Sequence, residues 1–335
     1  MQNFISMTSF WDNLPAPFFA LAPLEDITDA AFRRLVAEYG APGVMFTEFT
    51  SADGLLLADS EGQEKLRRKL LFSDAERPIV AQLFSAVPEY MERSASLVAE
   101  MGFDGIDINM GCPDRTVEKQ GCGAAMIRNH AAAREIIRAT KRGARGLPVS
   151  VKTRSGYSSD DELDAWASTL LAEDIAALTL HARTRKDMSK VPARWELVKR
   201  LVEIRNHYQG ESLVKTLIVG NGDVRDLDHA RELAEESGCD GIMLGRAAIG
   251  NPFLFQSSQE LWNKNAEEVK EKKILALMRH LELFIEIFGE KGKYPPMKKH
   301  MSKYAVGFDG AKELRMKLMQ TKDASEARKI LLDLM

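Results

Sequence analysis

Cysteine is scarce. Cys112, Cys122 and Cys239 are the only three in 335 residues, too few and too odd in number for a disulfide framework. No run of about 18 apolar residues occurs, which excludes a membrane-spanning helix. Met1 to Asp12 lacks the cationic start and long apolar stretch of a secretory signal, so a cytoplasmic home is expected. No set of His, Cys and carboxylates has zinc spacing, and no metal is expected. There is neither a Walker loop nor a strand-opening Gly-x-Gly-x-x-Gly, and no internal repeat or low-complexity segment. Net charge is small, with 46 basic against 49 acidic side chains. What is present, 45% hydrophobic and 28% charged residues, suffices for a substantial core.

The charge is unevenly placed. Residues 1–262 carry a net of −8, whereas residues 263–335 hold 16 basic and 11 acidic side chains. Lys291–Lys317 contains eight Lys or Arg against only Asp309 and Glu313. A locally basic end on an acidic chain suits a polyanion, because neutralising phosphates supplies affinity independent of sequence. A solvated helix face is the alternative.

Eight short apolar runs punctuate the first 250 residues: Phe18–Pro23, Val44–Ser51, Ile79–Phe84, Gly105–Pro113, Pro148–Gly156, Ala177–Thr184, Thr216–Val224 and Gly241–Ile249. Most are continuously hydrophobic, as in parallel strands covered on both faces. Stretches with apolar residues three and four apart separate them, for example Ala30–Tyr39, Glu89–Met101 and Ala131–Lys141. Asp29, Asn129 and Ser158-Ser159 stand where helix N-caps are needed. Gly40, Gly102 and Gly238 stand where left-handed closures are expected. This rhythm predicts an α/β fold, a (β/α)8 TIM barrel, with a doubly wound sheet as its rival. Beyond Asn251-Pro252 no strand is predicted, and a small all-helical C-terminal domain is expected. The predicted division is 1–255 for the barrel and 256–335 for the helices.

In a closed barrel the C-terminal strand ends converge on one mouth. Polar residues fall at those ends: Glu25, Gln82, Asn109 with Cys112, Lys152 with Arg154, His181 with Arg183 and Arg185, Asn221 with Asp223, and Arg246. Gly220, Gly222 and Gly245 allow close backbone approach to a phosphate, and Arg246 adds a fork of donors. The alternative is a pair of tight turns beside an exposed arginine. Lys152 is costly to bury unpaired and suits an anionic or electron-rich ligand, such as the N1–C2=O edge of a reduced flavin. His181 alone reads as structural, but beside Lys152, Arg154 and Asn221 it reads as a site residue. Cys112, in a Gly-Cys-Pro turn at a strand end, reads as proton donor or nucleophile. Cys122 and Cys239 read as packing residues, since no Cys-x-x-Cys spacing supports a redox pair.

Ala22-Pro23-Leu24-Glu25-Asp26-Ile27-Thr28-Asp29 and Asn109-Met110-Gly111-Cys112-Pro113 together resemble motifs of the tRNA-dihydrouridine synthases. Val151–Arg154, His181–Arg185, Gly220–Asp223, Gly245-Arg246 and a tail containing Met297–His300, Tyr304 and Gly310–Arg315 follow in that family's order. The likeness spans about residues 17–320. It implies a flavoenzyme using FMN and NADPH to reduce the C5=C6 bond of uridines in tRNA. Pro23, Leu24, Glu25, Gln82, Lys152 and His181 would line the flavin ring. Asn221, Gly222, Asp223, Gly245 and Arg246 would hold ribityl and phosphate. Cys112 would protonate C5, with Asn109, Arg154 or His181 stabilising charge on the uracil. Arg183, Arg185, Lys298, Lys299, Lys303 and Arg315 would meet RNA phosphates, and a monomer is expected. Leu24 replaces the family's common Met, Cys122 stands where a small residue is usual, and Lys186–Pro192 departs from the commonest version. A flavin barrel acting on a free pyrimidine and a non-catalytic RNA-binding protein are the competing readings.

Overall fold

The computed structural model describes residues 9–210, 215–256, 266–289 and 292–334. Nine strands make one sheet: β1 (Phe18–Leu21), β2 (Val44–Phe46), β3 (Thr50–Ser51), β4 (Ile79–Phe84), β5 (Gly105–Met110), β6 (Val149–Arg154), β7 (Ala177–His181), β8 (Leu217–Asn221) and β9 (Gly241–Leu244). All pairings are parallel. β1 bonds to both β2 and β9, and β2 bonds to β4, so the ring closes as an eight-stranded barrel. β3 continues β2 after a bulge, because Phe46 faces Val80 while Thr50 faces Leu83. The extra residue re-aims that segment, and Thr47 Oγ1 accepts the Gln82 N–H at 3.0 Å.

Successive side chains on a strand point to opposite faces, and this parity builds the site. Outward residues such as Leu21, Ile106, Ile108, Val151, Leu178 and Ile242 join the helices in one continuous core. Inward residues form a second cluster inside the ring, including Phe18, Ala20, Val44, Phe46, Val80, Ala177, Val219 and Met243, with Trp11 packed among them. Gly241 makes room there, since a Cβ at that position would lie 2.5 Å from the Phe18 ring. Two or four residues beyond Val80, Ala177 and Val219 on the same inward faces stand Gln82, His181 and Asn221, with Asn109 and Lys152 paired between them on β5 and β6. The barrel interior is therefore apolar at one end and polar at the other.

The expected caps are present at Asp29, Asn129 and Ser159. Gly102 and Gly238 adopt the left-handed conformation, with φ of 82° and 67°. Gly40 does not: it is the last helical residue, and the chain leaves through extended Ala41. Its lack of a side chain makes room for Gln256, whose Cγ would sit 3.0 Å from an added Cβ. Two helices not expected from periodicity, Ala52–Leu57 and Ser60–Lys69, follow β3. Beyond the barrel lie helices Ala266–Phe288, Pro295–Tyr304, Ala311–Gln320 and Ala324–Leu332. The first lies on barrel helix Ala30–Gly40 through the Arg279–Glu38 and Arg34–Glu286 ion pairs and the Phe32–His280 ring contact. Among the described residues no helix is long and apolar enough to cross a membrane.

Candidate active site

The polar end of the barrel opens into a cavity of 860 Å³, within the roughly 300–1,000 Å³ range of small-molecule sites. Its floor is wired by hydrogen bonds between neighbouring strands. Ser150 Oγ donates to Asp107 at 2.6 Å, and Gln82 Nε2 donates to the other carboxylate oxygen at 2.7 Å. Asn109 Nδ2 donates to Gln82 Oε1 at 2.9 Å. Asn109 Oδ1 then accepts the N–H groups of Gly111 at 3.1 Å and Cys112 at 2.9 Å. Burial pushes the Asp107 carboxyl up to about 6, so near neutral pH it is chiefly an acceptor and fixes both amide orientations.

Cys112 lies where this chain of bonds ends. Its carbonyl accepts the Ala124 N–H at 2.9 Å, and Gly123, at φ 60°, lies so close that a Cβ would sit 2.6 Å from the same oxygen. Burial raises the thiol above its ordinary range. The sulfur at the cavity wall therefore keeps its proton at neutral pH, which suits an acid better than a nucleophile. Arg154 ties the Cys112 segment to the next loop, donating to Gly111 O at 2.8 Å and to Thr184 O and Met188 O at 3.1 Å.

Next to Asn109 in the sheet, Lys152 Nζ donates to Asn221 Oδ1 at 3.1 Å, and Asn221 in turn donates to Met243 O at 2.8 Å. Burial, then the Arg154 charge, lowers the Lys152 ammonium to about 8. Burial and the surrounding Lys152, Arg154, Arg183 and Arg246 charges press His181 down to about 2, so it is a neutral imidazole. Arg183 Nη1 donates to its Nε2 at 3.2 Å, which leaves the ring proton on Nδ1. Asp223 binds Arg183 and Arg246 with one carboxylate. Against the burial that raises it, the Ala193 N–H and those two guanidinium groups hold it below the usual range. Gly222 sits beside it at φ 132°, a conformation that an L side chain rarely adopts, and a Cβ there would lie 2.8 Å from Ala193 and 3.3 Å from the His181 ring. Gly245 and Arg246 line the same end of the cavity.

The dihydrouridine synthase family model matches residues 20–335. The chain belongs to the dihydrouridine synthase family. It is 43% identical over 327 residues to the probable tRNA-dihydrouridine synthase 2 of Bacillus subtilis strain 168, covering 97% of this chain and 96% of that one. It is also 43% identical to the probable tRNA-dihydrouridine synthase of Staphylococcus aureus strain COL, covering 96% and 94%. Among solved structures, histamine dehydrogenase from Rhizobium sp. 4-9 superimposes with a TM-score of 0.52 at 15% identity, over 79% of this chain and 48% of that one. That likeness concerns the fold alone.

In this member of the family, all eleven residues expected around a cofactor line the one cavity, as do Cys112, Asn109 and Arg154. The residues expected to meet RNA are dispersed. Arg183 is 2% exposed, with Nε bonded to Val191 O and its charge paired with Asp223. It lines the wall of the cavity. Arg185 is paired with Glu118 and faces the Tyr157 ring. Lys298 donates to Met319 O at 2.9 Å. Lys299 and Arg315 are exposed, and Lys303 reaches the cavity mouth from the C-terminal helices. Sequence reasoning missed Asp107, Ser150 and Thr47, whose roles depend on partners in neighbouring strands. It also missed Glu48, which accepts the Asp26 N–H at 2.6 Å and is pushed to about 7 by burial, then by Asp29 and Glu25. Cys122 and Cys239 are buried among apolar neighbours.

Proposed function

We propose that this chain reduces the C5=C6 bond of uridine in tRNA to 5,6-dihydrouridine, with FMN in the mouth cavity and NADPH as electron donor. The residues present fit FMN. The glycine turns after β8 and β9 and the Arg246 guanidinium suit its phosphate. Lys152, Gln82 and the Pro23–Glu25 segment suit the polar edge of its ring, and Asn221, Asp223 and His181 suit the stretch between. Bound there, FMN would supply the hydride that C6 of the uracil receives.

The chain's own residues do the rest. Cys112 delivers a proton to C5 while charge builds towards O4, and Asn109, Arg154 and neutral His181 stabilise that charge. Arg154 is held down to about 10 by burial and remains a cation at working pH. Asn109 fixes the backbone that carries the thiol. A uracil reaches this depth only if extruded from the folded RNA. Lys299, Lys303 and Arg315 then grip phosphates flanking it. Residues 1–255 form the FMN-binding barrel and 256–335 the RNA-binding part of a cytoplasmic monomer.

The observation that carries this reading is the placement of Cys112, its backbone N–H bonded to Asn109 Oδ1, in the wall of the cavity that also holds Lys152 and Arg246. Purified protein should release FMN on denaturation. It should also form dihydrouridine in unmodified tRNA when given NADPH. Protein that takes up no FMN on reconstitution would contradict the reading, as would equal turnover of free uridine and tRNA.

A further inference from the structure

His300 belongs to the C-terminal helix Pro295–Tyr304, yet its ring is 2% exposed between two segments of the barrel mouth. Nδ1 accepts the Gly250 N–H at 3.2 Å, and Nε2 lies 3.0 Å from the carbonyl of Ile27. An N–H on one side and a C=O on the other leave one consistent neutral tautomer, with the proton on Nε2. Ile27 ends the segment after β1 that supplies Pro23, Leu24 and Glu25 to the cavity. Gly250 ends the segment after β9 that supplies Gly245 and Arg246. β1 and β9 are themselves paired, Leu21 against Leu244, so the imidazole bridges adjoining walls of one site.

The approach is close. Gly250 has φ 67°, and a Cβ there would lie 2.6 Å from Lys303 Cβ and 3.0 Å from His300 O. The Phe32 ring, 4.4 Å away, holds the imidazole in place. A buried imidazole used only as filler would forfeit its hydration without return. Its neighbour His280 illustrates the contrast, for neither of its ring nitrogens has a partner among the described residues.

We propose that His300 is a positioning residue that ties the helix carrying Lys299 and Lys303 to both cavity segments and so holds them in the flavin-binding arrangement. Its effect on flavin rests on the proposed function; the tie itself does not. Three variants separate its two bonds, read by amide hydrogen exchange on flavin-free protein without RNA. His300→Asn places an acceptor where Nδ1 stood, so the Gly250 amide stays slow. The Ile27 and Thr28 amides, bonded to Leu24 O at 3.1 and 3.0 Å, exchange faster. His300→Gln places a donor where Nε2 stood and gives the opposite pattern. His300→Phe releases both segments, each by roughly 5–30-fold, the range expected of one lost hydrogen bond.

In the same variant the FMN dissociation constant rises by a similar factor, with part of the loss restored in His300→Asn and His300→Gln. Wild-type exchange at both segments in His300→Phe would overturn the proposal. So would uniform acceleration along the chain in all three variants. Should His300→Phe not fold, the opposite patterns of His300→Asn and His300→Gln carry the test. If wild-type protein binds no FMN while those patterns appear, the tie stands and the flavin reading falls.

Discussion

Replacing His280 by Phe isolates the cost of burying a titratable ring. His280 is fully buried, 5.4 Å from Phe32, 4.8 Å from His300 and 6.2 Å from Tyr304 between ring centroids. Burial first, and His300 second, hold its basicity well below the ordinary value of 6.5. The folded chain therefore keeps His280 neutral at a pH where the unfolded chain protonates it. Stability from this group is complete above 6.5 and is lost as pH falls, at about 1.36 kcal/mol per pH unit. At about pH 5 the loss amounts to about 2 kcal/mol; at about pH 8 it is nil. Urea denaturation of wild type and His280→Phe at those two pH values reads the effect. Any packing cost of the larger ring is common to both and cancels, as do the contributions of His181 and His300. The gap should move by about 2 kcal/mol in favour of His280→Phe on acidification. An unchanged gap would mean that His280 titrates alike in both states, and the burial argument would be wrong.

Other perturbations probe separate parts of the molecule. Lys152→Met should weaken FMN binding, measured by flavin fluorescence; in wild type, flavin reduction by NADPH should decline as pH rises through about 8 and the charge is lost, a decline absent from the variant. Gly123→Ala forces a side chain into a left-handed position and against Cys112 O. It should cost about 1–2 kcal/mol in urea melts and lower dihydrouridine yield more than flavin reduction. Arg33, fully buried and bonded to Glu76, Thr28 O and Leu71 O, leaves an uncompensated carboxylate when changed to Met. Denaturation should show a loss of about 3–5 kcal/mol.

The barrel was legible because parallel strands covered on both faces must be written as continuous apolar runs, and each of the eight runs contains a strand. That Lys152, His181 and Asn221 share one cavity was legible for a related reason: a Lys, a His or an Asn within such a run is costly to bury anywhere but the inward face near the mouth. Gly40 misled because periodicity marks where a helix ends but not which dihedral ends it; contact with Gln256, more than 200 residues away, decides that glycine. The pairing of Arg183 with Asp223 was not legible, because Asp223 lies one strand over. Asp107 and His300 were silent for the same reason. Each acts through bonds to Gln82 and Ser150, or to Ile27 and Gly250, which only the closed ring brings together. Between β3 and β4, helix Ser60–Lys69 escaped because it buries none of its residues and so carries little apolar signal, and Ala52–Leu57, at 6 residues, is too short for a helical period to show.

One single-turnover measurement tests the proposed role of Cys112 as the acid that protonates C5. Enzyme reduced beforehand with NADPH is mixed with unmodified tRNA, and dihydrouridine is quantified over time for wild type and Cys112→Ala. The account predicts equal rates of flavin reduction in the two proteins but a dihydrouridine rate about 10²–10⁴-fold lower in the variant, the contribution of a positioned general acid. Dihydrouridine formation at the wild-type rate by Cys112→Ala would contradict it.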